Sequence, residues 1–457
     1  MIRKLGVIGA RQPRGARTTG RRTDVIVIGA GASGLAASAK LARAGRSALL
    51  IDARDRIGGR IWSHHEPGLP VPVELGAEFI HGLSQPIFSL LAKAGGAALD
   101  RESEHWTVRD GKLAPSEDLF AEVRTAMRRS DALRAKDLPF DVYLDRHLRN
   151  EVSGEARAYA RMLAQGFDAA DTKRASARAI VDEWTGGGSV EAPQFRPLGS
   201  YGVLLSHLAS ELNGSSVDVQ LDTIVREVRW QRGSVRVAGT FMGQPFEAVA
   251  KRAIVTLPLG VLQRPASAAD AVRFAPALSA KREALRLLSP GPALKVMLLF
   301  RRAFWDALDA GRYRDVGFFH ERAAAFPTIW TALPVRTPLL VAWAAGPKAL
   351  RLAGTDKPRL IAEALASLRA TFGEKANVER ELESAWVHDW QADPYARGAY
   401  SYVNTGGDKA RETLAKPLLN TLFFAGEAAD TEGDAGTVGG ALQSGERAVR
   451  EILARKG

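Results

Sequence analysis

The chain has 457 residues, 46% of them hydrophobic and 25% charged, with a net charge of +12 and no cysteine. That length fits roughly two to three domains and allows a sizeable buried core. No stretch reaches the roughly 18 apolar residues of a membrane span, Pro338 to Gly346 being the nearest, and the missing cysteine excludes disulfides and thiolate chemistry and fits a reducing, cytoplasmic setting.

Seven positive charges, Arg3, Lys4, Arg11, Arg14, Arg17, Arg21 and Arg22, precede the first acid at Asp24. Such a run is expected to be a solvated, disordered arm over residues 1–22, and nucleic-acid binding through it is not expected. Arginines and Pro13 interrupt its apolar residues, so no secretory segment is expected. Val25 to Ile28 then reads as a buried parallel strand, Ala32 to Ala44 as a helix stopped at Gly45, and Ala48 to Ile51 as the next buried strand. This is a βαβ unit.

Residues 100 to 180 carry helical periodicity and many arginines, which predicts a helical insertion rather than a sheet, with Gly186 to Gly188 in a loop. Strands return from Val217 to Val237 and at Ala253 to Leu257. A helix and then a strand follow between Lys281 and Phe300. A last strand at Leu422 to Ala425 leads to a final helix from about Val438 to Ala454. The order predicts an α/β protein. A Rossmann-type nucleotide-binding domain is assembled from 24–82, 199–266 and 400–457, interleaved with an α+β substrate domain from 83–198 and 267–399.

Gly29, Gly31 and Gly34 form GxGxxG, a weak signal alone in a chain with 44 glycines. Its context strengthens it: the pattern joins an apolar strand to a helix, and Asp52 ends the next strand about 20 residues on. The glycines would turn the chain, admit a pyrophosphate and pack helix against strand, while Asp52 would accept the hydroxyls of an adenosine ribose. Arg54-Asp55-Arg56-Ile57-Gly58-Gly59-Arg60 adds a second glycine turn ending in a guanidinium. That second grip favours FAD over NAD.

From Val25 almost to the C-terminus the chain resembles the flavin-containing amine oxidases and their polyamine oxidase relatives. The blocks that carry the likeness include "VIVIGAGASGLAAS", "IDARDRIGGRIW", "VELGAEFIHG", "LKVMLLFRRAFW", "DPYARGAYSY" and "LFFAGEAADTEGDAGTVGGALQSGERAV". The resemblance implies non-covalent FAD, since Ala399 stands where monoamine oxidases tether their flavin. It places Gly29, Gly31, Ala32, Ser33 and Gly34 at the first turn and Asp52, Ala53 and Arg54 at the ribose. Gly58, Gly59, Gly76, Ala77, Glu78 and Phe79 would run along the flavin, with Arg60 on the phosphates and Val225 beside the adenine. Gly426 and Glu427 would lie on the ribityl-phosphate side, and Thr437 and Val438 would open the last helix beneath the ring.

The same resemblance implies that Lys295 holds a water against flavin N5, with desolvation lowering its pKa. On the residues alone, Lys295 reads as either a lysine snorkelling from a strand end, the commoner case, or a buried functional amine. Tyr400 would be one wall of an aromatic slot, near Trp390, with Thr437 standing where monoamine oxidases have a second tyrosine. His81 resembles the histidine bordering the channel of animal polyamine oxidases. His64 and His65 lack a third ligand at useful spacing, so no metal is expected. The implied activity is oxidation of a primary or secondary amine, a polyamine among the possibilities. Hydride passes to flavin N5, the imine hydrolyses, and O2 is reduced to hydrogen peroxide. Three rivals stand beside it: an L-amino acid oxidase using Arg196 or Arg397, a flavin desaturase or isomerase of a lipid-like molecule, and a chromatin- or nucleic-acid-associated flavoprotein.

Overall fold

The computed structural model describes residues 21–100, 104–186 and 193–454. Most of the basic arm, 1–20, lies outside the described residues. Arg21 and Arg22 are a correction to it: they open strand β1 (Arg21–Ile28), pairing in parallel with Ala248 and Val249. Backbone hydrogen bonding to a long neighbouring strand is indifferent to the charge of side chains that point outward.

β1 is followed by helix α1 (Ala32–Arg43) and strand β2 (Ala48–Ile51). The last four residues of β1 and all of β2 are buried, because both faces of this sheet are covered. Val25, Val27 and Leu50 pack towards α1 and the final helix, Val438–Ala454. Ile26, Ile28, Leu49 and Ile51 pack into a second core on the opposite face. The sheet runs, in order, through Val217–Gln220, β2, β1, Gln244–Val255, Ser234–Phe241, Thr223–Gln231 and Arg273–Ala275. Leu422–Phe424 adds in parallel beside Ala253 to Val255.

A second sheet is ordered Leu382–Asp389, Ala293–Phe300, Leu339–Ala345, Thr328–Thr331, Val316–His320, Glu104–Arg109 and Lys112–Pro115. Its last two strands correct the expected all-helical insertion. Residues 104–115 form a hairpin in which Arg109 faces Lys112 across Asp110 and Gly111, at φ 48° and 74°. Asp-Gly with two positive φ values is the preferred two-residue hairpin turn, a local signal that outweighed the helical periodicity. Helices do follow, at Glu117–Arg129, Phe140–Arg146, Gly154–Gly166 and Ala177–Thr185. Gly186 caps the last of these, and the rest of the predicted loop lies outside the described residues.

The first glycine turn works by close approach. Gly29 has φ +111°, and a Cβ on Gly34 would sit 1.8 Å from the Gly29 carbonyl oxygen. Backbone cannot retreat there without separating α1 from β1. Gly34→Ala is therefore expected to lose about 3 kcal/mol of stability, the upper part of the overpacking range. Urea unfolding of the two proteins checks this, and a loss below 1 kcal/mol would contradict the contact.

Candidate active site

A continuous cavity of about 1200 Å³ runs from Gly29 and Asp52 at one end to Lys295, Tyr400 and Asp168 at the other. Of the residues assigned to binding or catalysis from the sequence, all but Gly34 line it: Ala32, Ser33, Ala53, Arg54, Val225, Phe79, His81 and Trp390 are on its wall with the rest. Gly34 serves the helix–strand contact, one of the three tasks expected of these glycines.

At the nucleotide end, the Asp52 carboxylate accepts from the backbone N–H of Ala30 at 2.6 Å and of Arg54 at 2.9 Å. Burial pushes its pKa up, and those two donors work against the rise. Asp52 thus ties the first glycine turn to the second. The two turns also meet directly, through a bridge between Gly31 and Gly58 and a bond from Gly58 N–H to the Ala30 carbonyl at 2.8 Å. Arg56, which sequence reasoning did not single out, donates to the carbonyls of Ile57, Gly59 and Ile61 and knits the second turn together. A Cβ on Gly31 would meet nothing closer than 3.9 Å, so the open space above these backbones is a cradle of the kind a dinucleotide needs. The residues present fit FAD.

At the other end, Lys295 stands in the fully buried strand Ala293–Phe300, paired with Trp343 on one side and His388 on the other. Leu294, Val296 and Leu298 face one core, and Lys295 shares the opposite face with Met297 and Leu299. It is no snorkelling residue: it is 2% exposed, and its Nζ meets the Glu78 carboxylate at 2.5 Å. The buried ammonium thus has a direct charge partner, which the reading from sequence did not foresee. Glu78, which the resemblance places along the flavin, lines the cavity, and its carboxylate takes Lys295, Arg196 at 3.0 Å and Trp330 Nε1 at 3.2 and 3.3 Å.

Tyr400 donates its hydroxyl to the Phe167 carbonyl at 2.5 Å, and Trp343 Nε1 donates to the preceding Gly166 carbonyl at 2.9 Å. These two aromatic donors clasp the end of helix Gly154–Gly166 and bring Asp168 to the cavity wall. The Asp168 carboxyl is raised well above the ordinary carboxylate range, by burial first and then by the neighbouring Glu183, with which it hydrogen-bonds. Burial and the same two acids push the Tyr400 phenol up, keeping it neutral. The His81 ring stands edge-on to Phe167 at 5.2 Å. Trp390 donates to the Leu75 carbonyl at 2.8 Å and packs against Trp62 and His388. Thr437 caps the final helix, accepting from Gly440 N–H at 3.1 Å.

Arg60, which the resemblance places on the phosphates, lines the cavity, and one of its nitrogens donates to Glu427 at 3.0 Å and to the Ala399 carbonyl. Glu427 also accepts from Ser401 N–H at 3.2 Å and from its hydroxyl at 2.6 Å. Arg411, for which the sequence offered no signal, donates to that hydroxyl at 2.7 Å. Burial would raise the Glu427 carboxyl, but Arg60 and Arg411 outweigh it and hold the pKa below the usual range. Its contribution to stability is present above the unfolded pKa and lost as pH falls through the lower folded one. Glu427→Gln is expected to cost about 3–5 kcal/mol at pH 7, by leaving buried guanidinium charge uncompensated. The gap from wild type should stay constant down to about pH 4.3 and close below it, as urea midpoints measured across pH would show.

A protein-family profile described as "Flavin containing amine oxidoreductase" matches residues 32–453. The chain is 26% identical over 461 residues to human "Lysine-specific histone demethylase 2", covering 94% of this chain and 53% of that protein. It is 28% identical over 465 residues to "Polyamine oxidase 3" of rice, Oryza sativa subsp. japonica, covering 94% and 89%. The chain thus spans about half the length of the human demethylase and nearly all of the plant oxidase. Among solved structures, cyclohexylamine oxidase from Brevibacterium oxydans IH-35A superposes with a TM-score of 0.77 at 20% identity, covering 95% of this chain and 100% of that one. A putrescine oxidase bound to putrescine gives 0.75 at 22%, covering 95% and 99%. These last two likenesses establish the fold. By the profile match over nearly its whole length, and with the nucleotide turns and buried lysine that its folding assembles, the chain belongs to the flavin-containing amine oxidoreductases.

Proposed function

We propose that the chain oxidises a primary or secondary amine carrying a second positive charge, a polyamine being the class that best fits, with dioxygen as the final acceptor. The observation that carries this reading is the Asp168–Glu183 carboxyl pair beside Tyr400 on the cavity wall. Two acids sharing a proton retain one negative charge, and an arriving ammonium favours release of that proton. FAD, when bound, supplies the two-electron acceptor for the hydride leaving the α-carbon of the amine.

The chain's own groups position and desolvate. Tyr400 offers a ring face that tolerates a nearby cation. His81 and Phe167 narrow the approach, and the carboxyl pair holds the ammonium that does not react. The reacting nitrogen must be neutral to release hydride from its carbon, so kcat/KM should rise with pH as the amine loses its proton.

The rivals are less well served. An L-amino acid needs a free cation for its carboxylate, yet Arg196 is paired with Glu78 at 3.0 Å and Arg397 with Asp270. A lipid-like substrate without an amine would make no use of two acids on the cavity wall. A monomethylated lysine side chain is itself a secondary amine, and the demethylase relatives favour it as a second reading.

A peroxide-release screen over monoamines, diamines, polyamines and L-amino acids is the test. Polyamines or diamines are expected to give the highest kcat/KM. Asp168→Asn is expected to raise KM for a diamine by about tenfold, the equivalent of one modest ion pair, with a smaller effect on a monoamine of equal length. Equal effects on both would remove the pair from substrate recognition, and peroxide from amino acids alone would overturn the reading.

A further inference from the structure

Lys295 and Glu78 lie 217 residues apart in sequence and meet at 2.5 Å. Their side chains are 3% and 8% exposed, so neither charge can be satisfied by bulk water. Further contacts hold the pair in place. The second Glu78 oxygen takes Arg196 at 3.0 Å, and Trp330 Nε1 reaches both oxygens, so the carboxylate plane is held from two sides. Arg196 is itself fixed, donating to the Thr331 carbonyl at 2.8 Å with its guanidinium over the Phe79 ring at 4.9 Å. The Lys295 ammonium donates once more, to the Gly76 carbonyl at 3.3 Å, and lies 5.5 Å from the Trp330 ring centroid.

A lysine stem has four rotatable carbons and no intrinsic preference for one direction. Here the end of that stem is specified by an acid that is specified in turn by an arginine and an indole. Both Lys295 and Glu78 line the cavity, and Gly76, the other acceptor, is on the same wall. We propose that Glu78 is a positioning residue: it fixes the Lys295 ammonium beside Gly76 so that the lysine presents one orientation to the cavity, with Arg196 and Trp330 locking Glu78 in place. Glu78 is then committed to this network and is not an acid available to a cationic substrate.

This rests on the amine oxidase reading for its kinetic part, and the test has one arm that does not. In the first arm, the apoprotein is treated with acetic anhydride, and modification of Lys295 is followed by peptide mass spectrometry. Glu78→Gln is expected to speed labelling of Lys295 by about tenfold or more, a loss equivalent to one ion pair, while surface lysines label at unchanged rates. Glu78→Asp keeps the charge and shortens the reach by one methylene, and should label at an intermediate rate; it also serves if Glu78→Gln fails to fold. In the second arm, kcat/KM for oxygen is measured for Glu78→Gln, Lys295→Met and the double variant, together with the midpoint potential of the bound flavin. If Glu78 acts through Lys295, the double variant matches Lys295→Met alone. The potential in Glu78→Gln should move to more positive values, because buried positive charge loses its counter-ion.

Labelling of Lys295 at the wild-type rate in both Glu78 variants would overturn the proposal. So would independent, multiplying effects of the two substitutions on oxygen kcat/KM. A protein that releases no peroxide from any amine would defeat the functional reading while leaving the labelling arm to decide the role of Glu78.

Discussion

The interaction on which the rest of the site depends is the buried carboxylate of Glu427. It joins Arg60, at the end of the second glycine turn, to Ser401, next to the aromatic wall, and through Ser401 to Arg411. The second glycine turn is thereby locked in one register with two segments near the C-terminal end of the fold. Such a group is weak evidence for added stability compared with a well-packed apolar core. Its geometric demands are strict, however, because a buried carboxylate must have its donors in place or lose them all at large cost. The glycine turn is consequently fixed relative to Tyr400, and the nucleotide end relative to the reacting end.

The cavity acids divide their work according to what surrounds them. Asp52 is consumed by backbone N–H groups and shapes the turns. Glu78 is consumed by Lys295, Arg196 and Trp330. Glu74, close to the same network, is pushed up to about 7 by burial, against the Ser63 hydroxyl and the Lys295 charge, so it is only about half ionised at neutral pH. The Asp168–Glu183 pair is different, because it is acid against acid on the cavity wall. Residue type alone could not have distinguished these roles.

The same division explains how an aromatic residue can serve a charged one. Trp330 and Trp343 stand on neighbouring strands with ring centroids 5.8 Å apart. One indole N–H steadies the Glu78 carboxylate and the other steadies the turn that carries Asp168. Each spends its single donor on a buried acceptor, which is what a large indole needs in a core. Together they make the second sheet a rigid wall from which both the lysine and the carboxyl pair are held.

What the sequence determined by itself was local. The strand–turn–helix–strand unit from Val25 to Asp52, the buried strand around Lys295 and the final helix from Val438 were all legible, because each depends on the spacing of glycines and apolar residues within a few turns of chain. The hairpin at Asp110 and Gly111 was equally local and was obscured only by the helical pattern beyond it. Tertiary structure decided which charge meets which: Glu78 with Lys295 across 217 residues, and Arg60 with Glu427 across 367. A buried ion chooses its partner by proximity and by exclusion of water, and neither is written in the order of residues along the chain.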